Sequence, residues 1–154
     1  MAQRLTMNHG FYSDAYIKEV LQGTYRIALV GASNKADRAS YSVMAYMQSR
    51  GYCVIPVNPQ LAGQSILGKT VVARLEDIDG QVHMVEIFRN SEAAGSVTDD
   101  AIAIGAKAVW MQIGVRNDTA AKRAEAAGLK VIMDRCPKIE IPRLFGQSEE
   151  KLAL

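Results

Sequence analysis

The segment from Tyr25 to Asn34 restricts the fold of this chain more than any other part of its sequence. Tyr25–Val30 is an apolar, strand-like run, and the small residues Gly31, Ala32 and Ser33 form a turn before a helical pattern begins. In parallel α/β sheets the backbone N–H groups of such a turn converge, and the positive end of the following helix dipole favours an anion. The segment therefore predicts a phosphate-binding loop for a nucleotide-like ligand.

Strands and helices alternate along the rest of the chain. Helical patterns end at Gly51, Gly105 and Gly128, and a strand-like segment begins within a few residues of each glycine. The predicted strands are Tyr25–Val30, Cys53–Val57, Val82–Phe88, Ala108–Ile113 and Lys130–Met133. Helices are predicted after Ser13, over Tyr41–Arg50, after Ser91 and after Asn117, with a brief pairing and one helical turn between residues 60 and 80. This alternation predicts an α/β fold, a Rossmann-like doubly wound parallel five-stranded sheet in the order 3-2-1-4-5 with helices on both faces.

Length and composition predict one domain over residues 1–154, with residues 1–12 as an N-terminal arm and 137–154 as a C-terminal tail. Residues 1–6 lack the apolar core of a secretory signal, and no apolar run approaches the ~20 residues that cross a bilayer. The two cysteines fit a reducing compartment. We therefore expect a cytoplasmic protein.

The charge of the chain bears on its partners. A formal net charge of +2 without a basic run argues against nucleic acid and against an acidic membrane surface. An exposed aromatic arm at Phe11 and Tyr12 leaves the choice between monomer and homodimer open. The expected partner is a small-molecule ligand.

In open α/β sheets, ligands bind beyond the carboxyl ends of the strands, at the point where the winding reverses. In the predicted order this point lies between the first and fourth strands. Gly31–Asn34 and Gln112–Gly114 are therefore expected on opposite lips of one crevice.

Two common nucleotide motifs do not fit this loop. The dinucleotide fingerprint needs glycines at positions occupied by Ser33 and Ala36, and Val57–Pro59 holds no acidic residue for a ribose. Gly68–Thr70 lacks the upstream glycine and the following helix of a P-loop. What remains is a phosphate-binding loop with nearby cations at Lys35, Arg38 and Arg89, which suits a ligand with several phosphates.

A set of segments carries a family resemblance. They are Ile27–Ser33, Arg38–Tyr41, Gly51–Pro59, Ile66–Gly68, Val85–Arg89, Val109–Val115 and Val131–Cys136. In these segments the chain resembles the single-domain CoA-binding proteins, relatives of the N-terminal domain of the succinyl-CoA synthetase α subunit. The resemblance implies a Rossmann-like fold with coenzyme A or an acyl-CoA as the ligand. The phosphorylated histidine of the synthetase lies in a further domain, so its reaction is not implied.

The resemblance also implies roles for individual residues. The diphosphate is expected at Gly31, Ala32, Ser33 and Asn34, with Lys35, Arg38 and Ser40 just beyond. The adenosine side is expected at Val57, Asn58 and Pro59, with Phe88 and Arg89 flanking the adenine or the ribose phosphate. Met111, Gln112 and Gly114 are expected on the opposite lip, near the pantetheine arm.

No combination of residues in the sequence predicts catalysis. His83 alternates with apolar neighbours in a strand, which favours a structural role over that of a base. Cys136 is favoured as a reduced structural thiol, and the predicted strand order places it roughly 14 Å from Cys53, too far for a disulfide. We expect a binding protein without catalysis of its own. An NAD(P)-binding or redox-sensing domain and a ligand-free interaction module remain alternatives.

Overall fold

The computed structural model describes residues 7–147, and their regular elements confirm the predicted alternation. The helices are α1 (Asp14–Gln22), α2 (Ala39–Ser49), α3 (Ser91–Ala103), α4 (Asp118–Ala126) and α5 (Pro137–Phe145). The strands are β1 (Arg26–Val30), β2 (Cys53–Val57), β3 (Ser65–Ile66), β4 (Lys69–Thr70), β5 (Met84–Ile87), β6 (Ala108–Met111) and β7 (Lys130–Ile132). A single 3-10 turn covers Leu75–Asp77. No helix of the described part is long and apolar enough to cross a membrane.

Five parallel strands form one sheet with helices on both faces, which confirms the Rossmann-like fold. One apolar core lies between the sheet and α1, α2 and α5, and it contains Leu29, Met44 and Trp110. The other lies between the sheet and α3 and α4, and it contains Ile87 and Met111. Successive residues of each strand therefore enter opposite cores.

The predicted strand order was wrong in one respect. The observed order is β2-β1-β5-β6-β7, so the third of the five predicted strands lies between the first and the fourth, not beyond the second. Pro56 of β2 explains the difference, because proline lacks the N–H that an inner strand uses in its ladder. The Pro56 carbonyl faces the outer edge, where it accepts a hydrogen bond from the Val72 N–H at 3.0 Å. All four residues of β5 are buried, as a central strand requires.

Tyrosine hydroxyls cover the opposite edge of the sheet, at β7. The Tyr16 hydroxyl donates to the Val131 carbonyl at 2.9 Å and accepts from the Val131 N–H at 3.0 Å. The Tyr12 hydroxyl accepts from the Met133 N–H at 2.9 Å and shares a hydrogen bond with His9 Nδ1. Burial raises the pKa of Tyr16 to about 12, so its hydroxyl stays protonated and remains a donor. The edge therefore has few free backbone groups for pairing with another chain.

These contacts correct the prediction of an exposed aromatic arm. Phe11 is 71% exposed, but Tyr12 is 6% exposed and packs into the core. The predicted tail is also structured in part, because α5 begins at Pro137, where a proline needs no N–H partner. Arg143 of α5 forms an ion pair with Asp14 of α1 at 2.8 Å. The rest of the predicted arm and tail, residues 1–6 and 148–154, lies outside the described residues.

The contribution of the Tyr16 hydrogen bonds at the β7 edge can be tested by removing its hydroxyl. Tyr16→Phe is expected to lower the free energy of unfolding by about 1–3 kcal/mol, because it leaves the Val131 N–H and carbonyl unpaired. Tyr25→Phe is the matched control, since Tyr25 is exposed and its hydroxyl makes no hydrogen bond within residues 7–147. Urea denaturation measures both. Equal midpoints for the two variants would contradict the role assigned to Tyr16.

Candidate functional site

The loop after β1 is held in place by backbone and side-chain hydrogen bonds from β2. The N–H groups of Gly31 and Ala32 donate to the Val57 carbonyl at 3.0 and 3.3 Å. The Asn58 amide donates to the Ala32 carbonyl at 2.9 Å, and its Oδ1 accepts from the Gln60 N–H at 2.9 Å. The loop is thus held by hydrogen bonds within the chain before α2 begins.

Gly31 is the point at which the loop passes β5. Its φ is +92°, and a Cβ at this position would lie 2.3 Å from the Phe88 carbonyl oxygen. Only glycine fits here, because both the left-handed backbone and the close approach exclude a side chain. The ends of β1 and β5 therefore form the two sides of the crevice, as expected where the winding reverses in a 2-1-3-4-5 sheet.

Two adjoining cavities open at this crevice. The larger, about 480 Å³, is lined by Gly31, Ala32, Ser33, Asn34, Lys35, Arg38, Ala39, Ser40, Asn58, Gln60, Leu61 and Phe88. The smaller, about 370 Å³, is lined by Val30, Gly31, Val57, Asn58, Pro59, Gln60 and Arg89. The structure thus brings together the predicted residues of the phosphate loop, of the end of the second strand and of the end of the third.

Three predicted site residues do not line these cavities. Met111 is fully buried in the core beneath α3 and α4. Gly114 is exposed, and its N–H donates to Asp134 Oδ1 at 2.7 Å. Gln112 is half-buried beside the end of β5, and its N–H donates to the Ile87 carbonyl. The physical reason is the strand order, because β5 lies between β1 and β6 and supplies the opposite lip through Phe88 and Arg89.

Sequence reasoning missed four lining residues, Val30, Ala39, Gln60 and Leu61. Val30 and Ala39 adjoin predicted residues, and Gln60 and Leu61 directly follow the predicted Pro59. The Leu61 N–H donates to the Asn58 carbonyl, so the turn that begins at Asn58 folds back over the loop. The Asn58-Pro59 pair after the second strand is typical of a turn, and it was the sequence signal that these residues fold back toward the loop.

The electrostatics of the two adjoining cavities favour an anion. Lys35, Arg38 and Arg89 are exposed, and none of the three forms an ion pair within residues 7–147. Helix α2 begins at this cavity, and the Arg38 side chain at its N-cap does not bond its first turn. By contrast, side chains of Ser13, Asn90 and Asn117 cap α1, α3 and α4. The first turn of α2 therefore keeps N–H groups for a phosphate oxygen.

The Ser33 hydroxyl belongs to the loop and faces the same cavity. It accepts a hydrogen bond from the Lys35 N–H at 3.1 Å, so it shapes the turn. Its own proton remains for donation to a ligand. Ser40, in the first turn of α2, is only 6% exposed but still lines the cavity.

Glu86, in the middle of β5, is a buried acid close to this site. It is fully buried, and neither carboxyl oxygen has a hydrogen-bond partner within the described residues. Burial raises the pKa of Glu86 well above its ordinary value, the nearby Cys136 thiol raises it further, and the adjacent Ile87 N–H lowers it in part. Burial therefore favours the protonated, uncharged form of this carboxyl.

The histidines and cysteines have roles outside the cavities. His83 Nδ1 accepts from the Tyr25 and Arg26 N–H groups at 3.2 and 3.0 Å, which agrees with the predicted structural role. His9 pairs with Glu125 at 2.9 Å. Cys53 and Cys136 are both free thiols. Within residues 7–147 no cluster of His, Cys, Asp and Glu has the arrangement of a metal site.

Comparison with known proteins identifies the family of this fold. The profile of a family described as a CoA binding domain matches residues 25–142, which contain both lips of the crevice. The chain belongs to the CoA-binding domain family. The Bacillus subtilis (strain 168) protein YneT, described as uncharacterized, is 41% identical over 127 residues, which are 82% of this chain and 93% of YneT.

Solved structures share the fold of this CoA-binding domain. A hypothetical protein from Pyrococcus horikoshii OT3 is 35% identical with a TM-score of 0.84, over 94% of this chain and 100% of that one. The dinucleotide-forming acetyl-coenzyme A synthetase 1 of Ca. Korarchaeum cryptofilum, in complex with phosphate and ADP, is 22% identical with a TM-score of 0.64. That match covers 75% of this chain and 27% of the synthetase, and it shows the fold alone.

The close approach at Gly31 gives a stability test. Gly31→Ala is expected to destabilise the fold by at least about 2 kcal/mol more than Gly128→Ala, because only the first Cβ meets a backbone carbonyl. Gly128 has nearly the same φ, +93°, and open space around it, so its variant shows the backbone cost alone, about 1–2 kcal/mol. Chemical denaturation of both variants measures the difference. Equal losses would mean that β1 and β5 separate easily at this point.

The buried carboxyl predicts a pH dependence of stability. Above the ordinary glutamate pKa of about 4.3 the unfolded chain loses this proton while the folded chain keeps it, so rising pH destabilises the fold. Glu86→Gln removes the effect. Its stability relative to the natural protein is therefore expected to rise with pH, by up to about 1.4 kcal/mol per pH unit, until the folded carboxyl ionises. Urea denaturation between pH 4 and 8 measures this, with the exposed Glu76→Gln as control. A constant difference across that range would show that Glu86 ionises normally.

Proposed function

We propose that the protein binds coenzyme A or an acyl-CoA in the two cavities at the carboxyl ends of β1, β2 and β5, and that it does so without catalysis of its own. The observation that carries the proposal is that three features meet at one crevice. They are a loop held by internal hydrogen bonds, a helix N-terminus without a side-chain cap, and three cations that form no ion pair within residues 7–147. Membership in the CoA-binding domain family supports the choice of ligand.

The larger cavity suits a diphosphate. Ser33 and Asn34 of the loop and the first turn of α2 offer backbone N–H groups, and Ser33 also offers a hydroxyl. Lys35 and Arg38 add positive charge at the rim. Charge-assisted hydrogen bonds of this kind contribute about 1.5–3 kcal/mol each when they are sheltered from water.

The smaller cavity suits the adenosine portion of the ligand. Val57 and Pro59 offer apolar surface, and Arg89 lies at its rim. Coenzyme A carries a phosphate on its ribose in addition to the diphosphate. A separate cation in the second cavity fits that third phosphate, and it distinguishes coenzyme A from ligands that carry a diphosphate alone.

An NAD-binding function receives less support from the same residues. Binding of NAD in this fold uses an acidic side chain at the end of the second strand to hold the ribose hydroxyls. Here the position holds Asn58, whose side-chain amide and oxygen are both bonded to the loop and to Gln60. Asn58 thus serves the shape of the site and has no acidic oxygen for the ribose.

Binding without catalysis is supported by where the reactive side chains lie. His83 bonds the start of β1, at the amino end of the sheet, and His9 pairs with Glu125 beside β7. Neither lines the two cavities. The hydroxyl, amide and cationic groups that do line them recognise an anion, and the lining residues include no histidine, cysteine, aspartate or glutamate.

Ligand-dependent thermal unfolding tests the proposal. Coenzyme A at 100 times its dissociation constant is expected to stabilise the native state by about 2.7 kcal/mol, and NADH and NADPH at the same concentration to do much less. Ser33→Trp is expected to abolish the shift by filling the loop, while Ser96→Trp, on the exposed surface of α3, leaves it unchanged. A larger shift with NADPH would favour the dinucleotide alternative. No shift with any ligand would favour an interaction module, and an unchanged shift in Ser33→Trp would remove the loop from the site.

A further inference from the structure

Helix α5 begins at a residue whose side chain does not cap it. Cys136 is the N-cap residue, and its thiol makes no hydrogen bond to the first turn. The usual N-cap residues carry a side-chain oxygen, which accepts from the N–H of the second or third helical residue. Pro137 has no N–H, and the Lys138 N–H makes no hydrogen bond within residues 7–147. The first turn of α5 therefore keeps an unused donor two residues beyond Cys136.

A buried acid lies beneath this helix start. Glu86 is fully buried, and neither carboxyl oxygen has a hydrogen-bond partner within the described residues. It is paired with Trp110 in the ladder between β5 and β6, so the two side chains lie on the same face of the sheet. The Trp110 Nε1–H donates to the Arg135 carbonyl at 2.9 Å, which places the residue before Cys136 over this pair. Cys136 packs into the same apolar core as Trp110, so Glu86 and Cys136 lie close together.

The pKa of Glu86 agrees with this placement. Burial raises that pKa most, and the Cys136 thiol raises it further. The Ile87 N–H lowers the pKa in part, although it forms no hydrogen bond with the carboxyl. Burial thus favours the protonated acid, which has one O–H to donate and a second oxygen that accepts.

These donors suit an oxygen atom bonded to the Cys136 sulfur. In a cysteine sulfenic acid the added oxygen lies two bonds from Cβ, as a carboxylate oxygen does in an aspartate N-cap. Such an oxygen can accept from the Lys138 N–H as N-cap side chains do, and from the Glu86 O–H. The positive end of the α5 dipole favours the negative charge that such an oxygen carries. A thiol makes little use of these donors, because its sulfur is a weak acceptor.

We propose that Cys136 is a site of oxidation by hydrogen peroxide, with Glu86 as its proton relay. The sulfur attacks one peroxide oxygen, so an S–O bond forms, the O–O bond breaks and the sulfur loses two electrons. One carboxyl oxygen of Glu86 gives its proton to the leaving hydroxide, and the other takes the proton of the thiol. A thiol and hydrogen peroxide thus become a sulfenic acid and water, and Glu86 ends protonated as it began. This site is separate from the proposed binding of coenzyme A and does not depend on it.

The second cysteine gives an internal comparison. Cys53, at the start of β2, is half-buried, and its sulfur lies 3.9 Å from Lys69 Nζ. Cys136 is only 7% exposed, which restricts its reaction to small molecules such as hydrogen peroxide. Exposure and a nearby cation alone would make Cys53 the faster thiol. The proposal predicts the reverse order for peroxide, because the proton relay lies beside Cys136.

The test follows both thiols in the same folded molecule. Catalase stops the peroxide reaction at set times, and the remaining thiols are then alkylated in urea and quantified by peptide mass spectrometry. Cys136 is expected to lose its thiol and gain one oxygen at least about tenfold faster than Cys53, at a rate proportional to peroxide concentration. Glu86→Gln keeps the size of the side chain but cannot relay a proton. It is expected to slow Cys136 about a hundredfold, the lower end of a general acid–base contribution, and to leave Cys53 within about twofold. The exposed Glu76→Gln is the control.

The opposite outcomes are distinct. Faster oxidation of Cys53, or no oxidation of Cys136, would overturn the proposal. A Cys136 rate independent of peroxide concentration would show that the thiol reacts only after the fold opens, and would overturn it as well. An unchanged Cys136 rate in Glu86→Gln, or equal slowing of both cysteines, would remove Glu86 from the reaction. Circular dichroism checks folding, and Glu86→Leu repeats the test if the glutamine variant does not fold. None of these measurements uses coenzyme A, so their failure leaves the proposed function standing.

Discussion

The backbones at the ends of β1 and β5 approach each other so closely at Gly31 that no side chain fits between them. A Cβ there would lie 2.3 Å from the Phe88 carbonyl oxygen. This contact brings the loop after β1 against the end of β5, and Val57 and Asn58 hold the same loop from the side of β2. Three strands therefore determine the position of one short loop. The cavities, the free N-terminus of α2 and the positions of the cations all follow from it.

A loop fixed in this way has consequences for binding. Ordering a flexible loop on association costs free energy, and a loop already held by hydrogen bonds avoids most of that cost. The cations differ from the loop, because Lys35, Arg38 and Arg89 lie exposed at the rim. Exposed cations of this kind attract anions over a distance and can adjust their positions, while the backbone supplies the fixed geometry. The site thus combines a rigid base with adaptable charges.

Much of the fold was predictable because its signals are local. Strand-like runs, glycines that end helices and the caps at Ser13 and Asn117 predicted the elements closely. The strand order is a long-range property, and helix and strand patterns do not determine it. Pro56 held the missing information, since a proline in β2 places that strand at an edge. The expectation that Met111, Gln112 and Gly114 lie on the opposite lip used that predicted order, whereas in the structure β5 lies between β1 and β6. The predicted residues at the ends of the first three strands adjoin the loop in either order, and the structure places them around the same two cavities.

Glu86 shows what sequence patterns do not reveal. A single acidic residue within an apolar strand reads as an exposed position, yet here it is fully buried in the central strand. The Glu86 carboxyl is buried without a hydrogen-bond partner among the described residues, which costs free energy. An apolar side chain of similar size at this position would avoid that cost and would fill the same space. A carboxyl that opposes stability in the central strand, two residues before Phe88 of the cavity wall, is therefore not explained by packing alone.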